Sequence, residues 1–117
     1  MKAYQIAVIP GDGIGVDTIQ EAVATLEVLC DVHGGLGLSF DWFPWGCSYY
    51  LERGEMMPGD GLAILSGYDA ILFGAVGFPS VPDHVSLWGL LLPLRQHFDQ
   101  YVNLRPVKLL EGIPGPL

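Results

Sequence analysis

Positive charge is scarce in this sequence. Its 117 residues hold 5 Lys and Arg against 13 Asp and Glu, a formal net charge of −8. A chain this acidic has no general field to attract a phosphate backbone, so nucleic acid is excluded as an expected partner. Cysteine is equally sparse. Cys30 and Cys47 are too few for a disulfide framework and lack metal-ligand spacing. Cys30 falls on the apolar side of a helical stripe and reads as a small core residue. No apolar run reaches the ~18 residues that cross a bilayer, and the start does not read as a secretory leader. No membrane partner is expected, and the reading is of a cytoplasmic, reduced protein. Repeats and low-complexity linkers are also missing, and the length allows one domain at most.

Charged residues of both signs make up only 15%, against 50% hydrophobic, where ~25% charged is usual for a soluble domain. The mean hydropathy is +0.39. That excess points to buried strands, or to apolar surface that meets more protein. The few positive charges are unevenly placed. Three of the five basic residues, Arg95, Arg105 and Lys108, lie from Arg95 onward, with only Asp99 and Glu111 of the acids.

In chain order, residues 4–9 (YQIAVI) are short, apolar and β-branched, and predict a buried strand. Pro10-Gly11-Asp12-Gly13-Ile14-Gly15 follows at once. Its glycines either bring backbone close to a ligand or only turn the strand into a helix. The pattern is G-x-G-x-G rather than the dinucleotide fingerprint, because Val16 stands where the third glycine belongs. Asp17 or Thr18 is expected to cap a helix, with Gln20 or Glu21 as capping-box partner. Its stripe is Ile19, Val23, Leu26 and Cys30, widened by Ala22 and Leu29 and ended by Gly34-Gly35. Residues 38–45 alternate and predict a second strand that Pro44 places at an edge or an end. Residues 47–51 read as a short helix and 53–58 as a loop. Asp60 is expected to cap another short helix through Ser66. Residues 70–73 (AILF) read as a third strand, turned by glycines at 74 and 77. Strands alternating with helices predict an α/β fold with a largely parallel sheet, whose ligands bind beyond the carboxyl ends of the strands.

The stretch at 83–108 gathers the candidate chemistry. His84 lies in an expected loop at 81–84, either as a site residue or simply as a solvated histidine. Pro93 fits a helix beginning near Gly89, where it falls in the first turn. Leu87 and Trp88 precede that helix and could floor a pocket. Residues 101–107 (YVNLRPV) predict a strand closed by proline. Arg95 on the helix and Arg105 on the strand would then bring two guanidinium forks towards one pocket, where each matches a carboxylate. The plain alternative is two unrelated surface arginines.

Three blocks together resemble one family. IPGDGIG after the first strand, DAILFGAVG around the third, and LPLRQHFDQYVNLRP are similar to the β-decarboxylating dehydrogenases, which act on isocitrate, 3-isopropylmalate, tartrate or D-malate. CSYY, Met56-Met57-Pro58 and VPDHVSLWG are most similar to the tartrate and D-malate branch. Gly89 and Leu91 stand where isocitrate enzymes carry Ser-x-Asn. No acid stands near Leu87 or Trp88, where isopropylmalate enzymes carry a glutamate; an isopropylmalate role is kept as the alternative within the family.

The resemblance implies an isopropylmalate dehydrogenase-like three-layer αβα sandwich, with residues 1–117 forming the N-terminal part of its first domain. It implies NAD as cofactor with Mg²⁺ or Mn²⁺, a small dicarboxylic 2-hydroxy acid as substrate, and a homodimer for the whole enzyme. Carried over by position, Arg95 and Arg105 are substrate-carboxylate clamps. Ile14, Ala75, Val76, Gly77 and Leu87 lie beside the nicotinamide. The family's acid, base and metal ligands match no residue here and are expected beyond Leu117, so the 117 residues alone are expected to be inactive. Two readings of other classes compete. One is a non-enzymatic α/β segment that associates through an exposed sheet edge. The other, a stand-alone nucleotide module, lacks an acid placed after the second strand to bind a ribose, since Asp41 lies within that strand.

Overall fold

The computed structural model describes residues 1–116. Its frame is a parallel sheet of three strands in the order β2-β1-β3, with β1 at Lys2–Ile9, β2 at Leu36–Trp42 and β3 at Ala70–Phe73. The register pairs Lys2 with Leu36 through Val8 with Trp42 on one side, and Ile6 with Ala70 through Ile9 with Phe73 on the other. β1 is therefore central, and it alone of the three holds fully buried residues, Ala7, Val8 and Ile9. Its period-2 alternation divides the core. Ala7 and Ile9 join the larger cluster with Trp45, Cys47, Met56, Leu65, Leu90 and Leu94. Val8 points the other way, onto Ile19 and Val23. Burial on both faces is what a central parallel strand requires.

Helix α1 (Ile14–His33) covers one face and the shorter helices α2 (Cys47–Arg53) and α3 (Gly61–Leu65) lie towards the other. Beyond β3 come α4 (Asp83–Ser86), a π-helical turn (Leu87–Leu91) and α5 (Leu92–His97). This is the expected α/β layering, with helices on both sides of the sheet.

Several boundaries differ from the sequence reading, each for a physical reason. α1 starts at Ile14, three residues before Asp17, behind Gly13 and without a side-chain cap. The Thr18 hydroxyl instead donates back into the first turn, to the carbonyls of Ile14 (3.0 Å) and Gly15 (3.2 Å). The Asp60 side chain likewise makes no capping hydrogen bond to α3. β2 stops at Trp42 because its ladder on β1 ends there; Phe43 donates to the Val8 carbonyl at 2.8 Å and Trp45 turns into the core. Cys30 is only half-buried, since the last turns of α1 overhang the sheet and leave Val28, Leu29 and Val32 exposed.

The fourth helical stretch begins at Asp83, so Leu87 and Trp88 lie within it rather than ahead of it. Pro93 cannot donate to the carbonyl of Gly89, and its ring would clash there. The helix widens just before it, with Leu92 donating to Leu87 across a π turn. Gly89 sits on that turn, where a Cβ would meet Met56 Cγ at 2.6 Å. The expected strand at 101–107 does not form. Tyr101 donates only locally, to the Asp99 carbonyl, and every residue from 101 to 116 is exposed. A strand needs a neighbour to complement its N–H and C=O groups, and none of these three strands takes that place.

Candidate functional site

The carboxyl ends of the three strands are tied together by a side chain that the sequence reading passed over. Asp12 sits in the loop after β1 and is 4% exposed. Its carboxylate accepts three backbone N–H groups: from Cys47 at 3.0 Å and Ser48 at 3.2 Å at the start of α2, and from Gly77 at 3.2 Å in the loop after β3. The Asp12 N–H donates in turn to the Ala75 carbonyl at 2.7 Å. Absent side chains make this approach possible. A Cβ on Gly11, which has φ +77°, would lie 2.1 Å from the Ala75 oxygen, and one on Gly74 would lie 2.0 Å from the Pro10 oxygen. Close beside the carboxylate, burial and the Asp12 charge push the Cys47 thiol up to about 11. Cys47 is therefore a protonated core group, not a nucleophile.

Around this knot lie four of the five residues proposed to face a cofactor. Ile14 opens α1 and is 67% exposed. Ala75 and Gly77 are exposed, and Val76 packs partly into the larger core cluster. The Asp12 contacts join the 75–77 loop to the residue two positions before Ile14, so these four share one edge of the sheet. Leu87 stands apart. It begins the π turn, is 40% exposed, and lines none of the cavities described next.

Arg95 is in the last turn of α5 and reaches into two cavities. One of about 170 Å³ is bounded by Ile71, Phe73, Leu91, Leu94, Arg95 and Gln100. The other, about 280 Å³, is lined by Arg95, Gln100, Val102, Asn103 and Leu104. Neither lining contains an acidic side chain. The end of α5 shapes both. Asp99 takes the left-handed conformation at φ 51°, and Gln100 donates to the Arg95 carbonyl at 2.9 Å, turning the chain back across the helix end. Arg105 lies in the exposed 101–116 segment and borders neither cavity. His84 is exposed on α4, beside a third hollow of about 430 Å³ with Tyr50, Glu55, Met57 and Trp88. Among the described residues no three His, Cys, Asp or Glu side chains gather as a metal site. No described helix is long and apolar enough to cross a membrane.

The profile of one family, isocitrate/isopropylmalate dehydrogenase, matches residues 5–115, nearly the whole chain. The chain belongs to this dehydrogenase family. Among its curated members, a probable tartrate dehydrogenase/decarboxylase of Bacillus subtilis (strain 168) is 51% identical over the full chain. The tartrate dehydrogenase/decarboxylase of Pseudomonas putida is 54% identical over 98% of it. The decarboxylating D-malate dehydrogenase of Escherichia coli (strain K12) is 53% identical over all of it. The chain spans about a third of the length of each. The apo crystal structure of a β-decarboxylating dehydrogenase from Thermococcus kodakarensis superposes with a TM-score of 0.61 at 33% identity, over 84% of this chain and 27% of that one.

Two residues of the candidate site escaped the sequence reading. Asp12 carried a signal: an acid flanked by glycines directly after a buried strand, where burial demands several N–H partners. Gln100 carried none. Only the reversal at the end of α5 brings it beside Arg95 in both cavities.

Proposed function

We propose that this chain provides the carboxylate-holding and nicotinamide-facing part of an NAD- and divalent-metal-dependent oxidative decarboxylase of a small 2-hydroxy dicarboxylic acid, tartrate or D-malate. The observation that carries the reading is Arg95: a guanidinium bordering two cavities with Gln100, with no carboxylate among the described residues lining either. A bound substrate carboxylate meets that fork with two parallel N–H···O bonds. Arg105 supplies the second fork once its segment lies over the Arg95 cavities. The activities for which the relatives are named, together with the absence of an acid at Leu87 and Trp88, favour tartrate or D-malate over 3-isopropylmalate.

NAD fits the edge built by Ile14, Ala75, Val76 and Gly77. An uncharged, exposed side chain and small residues leave a flat apolar shelf beyond β1 and β3, which suits an aromatic ring; Leu87 flanks it from the helical segment. When bound, NAD supplies the hydride acceptor. The chain's own residues hold the carboxylates, direct the C2 hydrogen towards the shelf and keep water from it. The described residues do not form a metal site, so no step is drawn through Mg²⁺ or Mn²⁺. On this reading the metal ligands and the acid and base belong to the part of the relatives' length that the chain does not span. A cytoplasmic homodimer is the expected setting of the whole enzyme.

The test uses the protein expressed from its complete reading frame. Arg95→Ala is expected to lower kcat/KM for D-malate or tartrate by roughly 10- to 100-fold, the loss of one charge-assisted hydrogen-bond pair. Arg95→Lys should fall between, since an ammonium cannot fork. Unchanged kinetics in Arg95→Ala would refute the clamp.

A second reading rests on surface area. The chain exposes 8226 Å², where a folded monomer of 12.7 kDa exposes roughly 6,200 Å². Val28, Val32, Leu104 and Val107 are among the exposed apolar groups. As an associating α/β segment the 117 residues would self-associate; a monomer by light scattering at high concentration counts against that.

A further inference from the structure

Of the buried polar side chains among the described residues, Asp12 is the one whose partners join separate loops. Ser86, the other, bonds only within its own turn, to the Asp83 carbonyl. We infer that Asp12 is a positioning residue for the cofactor edge: its carboxylate clamps the Gly77 N–H against the start of α2 and so holds the 75–77 loop in its cofactor-facing form. The inference rests on the reading of that loop given under Proposed function.

The geometry supports it in three ways. First, Gly77 is exposed, and its N–H is turned inward to Asp12 Oδ2 at 3.2 Å. That bond ties the loop to a buried acceptor rather than leaving its donor to water. Second, the opposite side of the clamp is firm. Cys47 and Ser48 donate to the two carboxylate oxygens at 3.0 and 3.2 Å, and they lie in the first turn of α2, where a negative charge is favoured. Packing behind them is tight: the Cβ of a residue at 46 would meet Asp12 Oδ1 at 3.1 Å. Third, only an ionised carboxylate accepts all three N–H groups without presenting a donor of its own. An Asn amide oxygen at the Oδ2 position would keep Cys47 and Gly77 and give up only Ser48, whereas Asp12→Ala removes the acceptor of all three.

The experiment compares the wild type, Asp12→Ala and Ile14→Asp in the protein from the complete reading frame. Amide hydrogen exchange is read at residue resolution, and NADH affinity by tryptophan-to-NADH energy transfer. In the wild type the Gly77 amide is expected to exchange slowly despite its exposure; fast exchange there overturns the inference without any variant. In Asp12→Ala the Gly77 amide should exchange roughly 10- to 100-fold faster, the range for losing a hydrogen bond to a charged group. The NADH Kd should rise several-fold while the KM for D-malate holds within about twofold. A general loosening of the fold would weaken both ligands and overturns the inference. So does unchanged Gly77 exchange. So does unchanged NADH affinity while Ile14→Asp, which puts a charge on the shelf, weakens NADH. If Ile14→Asp also leaves NADH binding unchanged, it is the cofactor reading of this edge that fails.

Discussion

Gly74→Ala is expected to be among the most damaging single-atom additions to this chain. The position joins β3 to the knot of loops at the sheet's carboxyl edge. A Cβ there would lie 2.0 Å from the Pro10 oxygen, 2.8 Å from the Pro10 carbonyl carbon and 2.9 Å from Ile19 Cγ1. Reaching even 3.0 Å from that oxygen requires about 1 Å of separation. Two of the three contacts are backbone, which has no rotamer to change. Overpacking of this kind costs about 1–3 kcal/mol. The Gly74 N–H also donates to the Ile9 carbonyl at 2.8 Å, and losing that bond adds about 1 kcal/mol. The sum, about 2–4 kcal/mol, corresponds to a fall in Tm of roughly 10–20 °C for a domain of this size. The assay is thermal unfolding by far-UV circular dichroism, with Gly59→Ala as control. Residue 59 has open space around it and no left-handed φ, so the control should shift stability by about 1 kcal/mol or less. Equal Tm values for the two variants would refute the view that the loops after β1 and β3 meet through missing side chains.

Four further outcomes are expected. At pH 8 a thiol reagent should modify Cys30 but not Cys47 in the folded protein and both in denaturant; rapid modification of Cys47 would contradict its burial. Because the folded chain holds the Cys47 proton up to about 11, where the ordinary value is 9.0, the unfolded chain loses it first as pH rises. This thiol's contribution to stability is thus complete below pH 9 and declines from about pH 9 to 11. The decline should be shallower in Cys47→Ala, as read by denaturant melts across that window, since only the tyrosine held up by its bond to Asp41, Tyr68, then contributes. Asp99→Val should cost about 1–2 kcal/mol, since a β-branched residue is poorly suited to φ 51°, whereas Asp99→Gly should cost nothing measurable; equal melts for the two would count against the turn at the end of α5. Finally, the 117-residue polypeptide on its own should form no NADH from D-malate or tartrate with Mg²⁺ or Mn²⁺. A metal-dependent rate above blank would show that the acid, base and metal ligands are within it.

The local code carried much of this protein. Period-2 alternation in residues 4–9 decided which side chains face each layer, because in a strand only direction from the sheet matters. The glycines at 11, 15, 74 and 77 and the fork-bearing Arg95 were visible as residue types, and three blocks read in order were enough to point to the dehydrogenase family. What the sequence could not decide were matters of neighbours. Residues 101–107 have the composition of a strand, but strand formation needs a complementary edge, and the described chain does not bring one to them. Pro93 was legible as a helix problem, yet its solution, a π turn continuous from Asp83, depends on how closely Gly89 packs on Met56. Asp12 looked like a loop acid. Only folding, which brings the ends of three strands within hydrogen-bond reach of one buried carboxylate, made it the centre of the site.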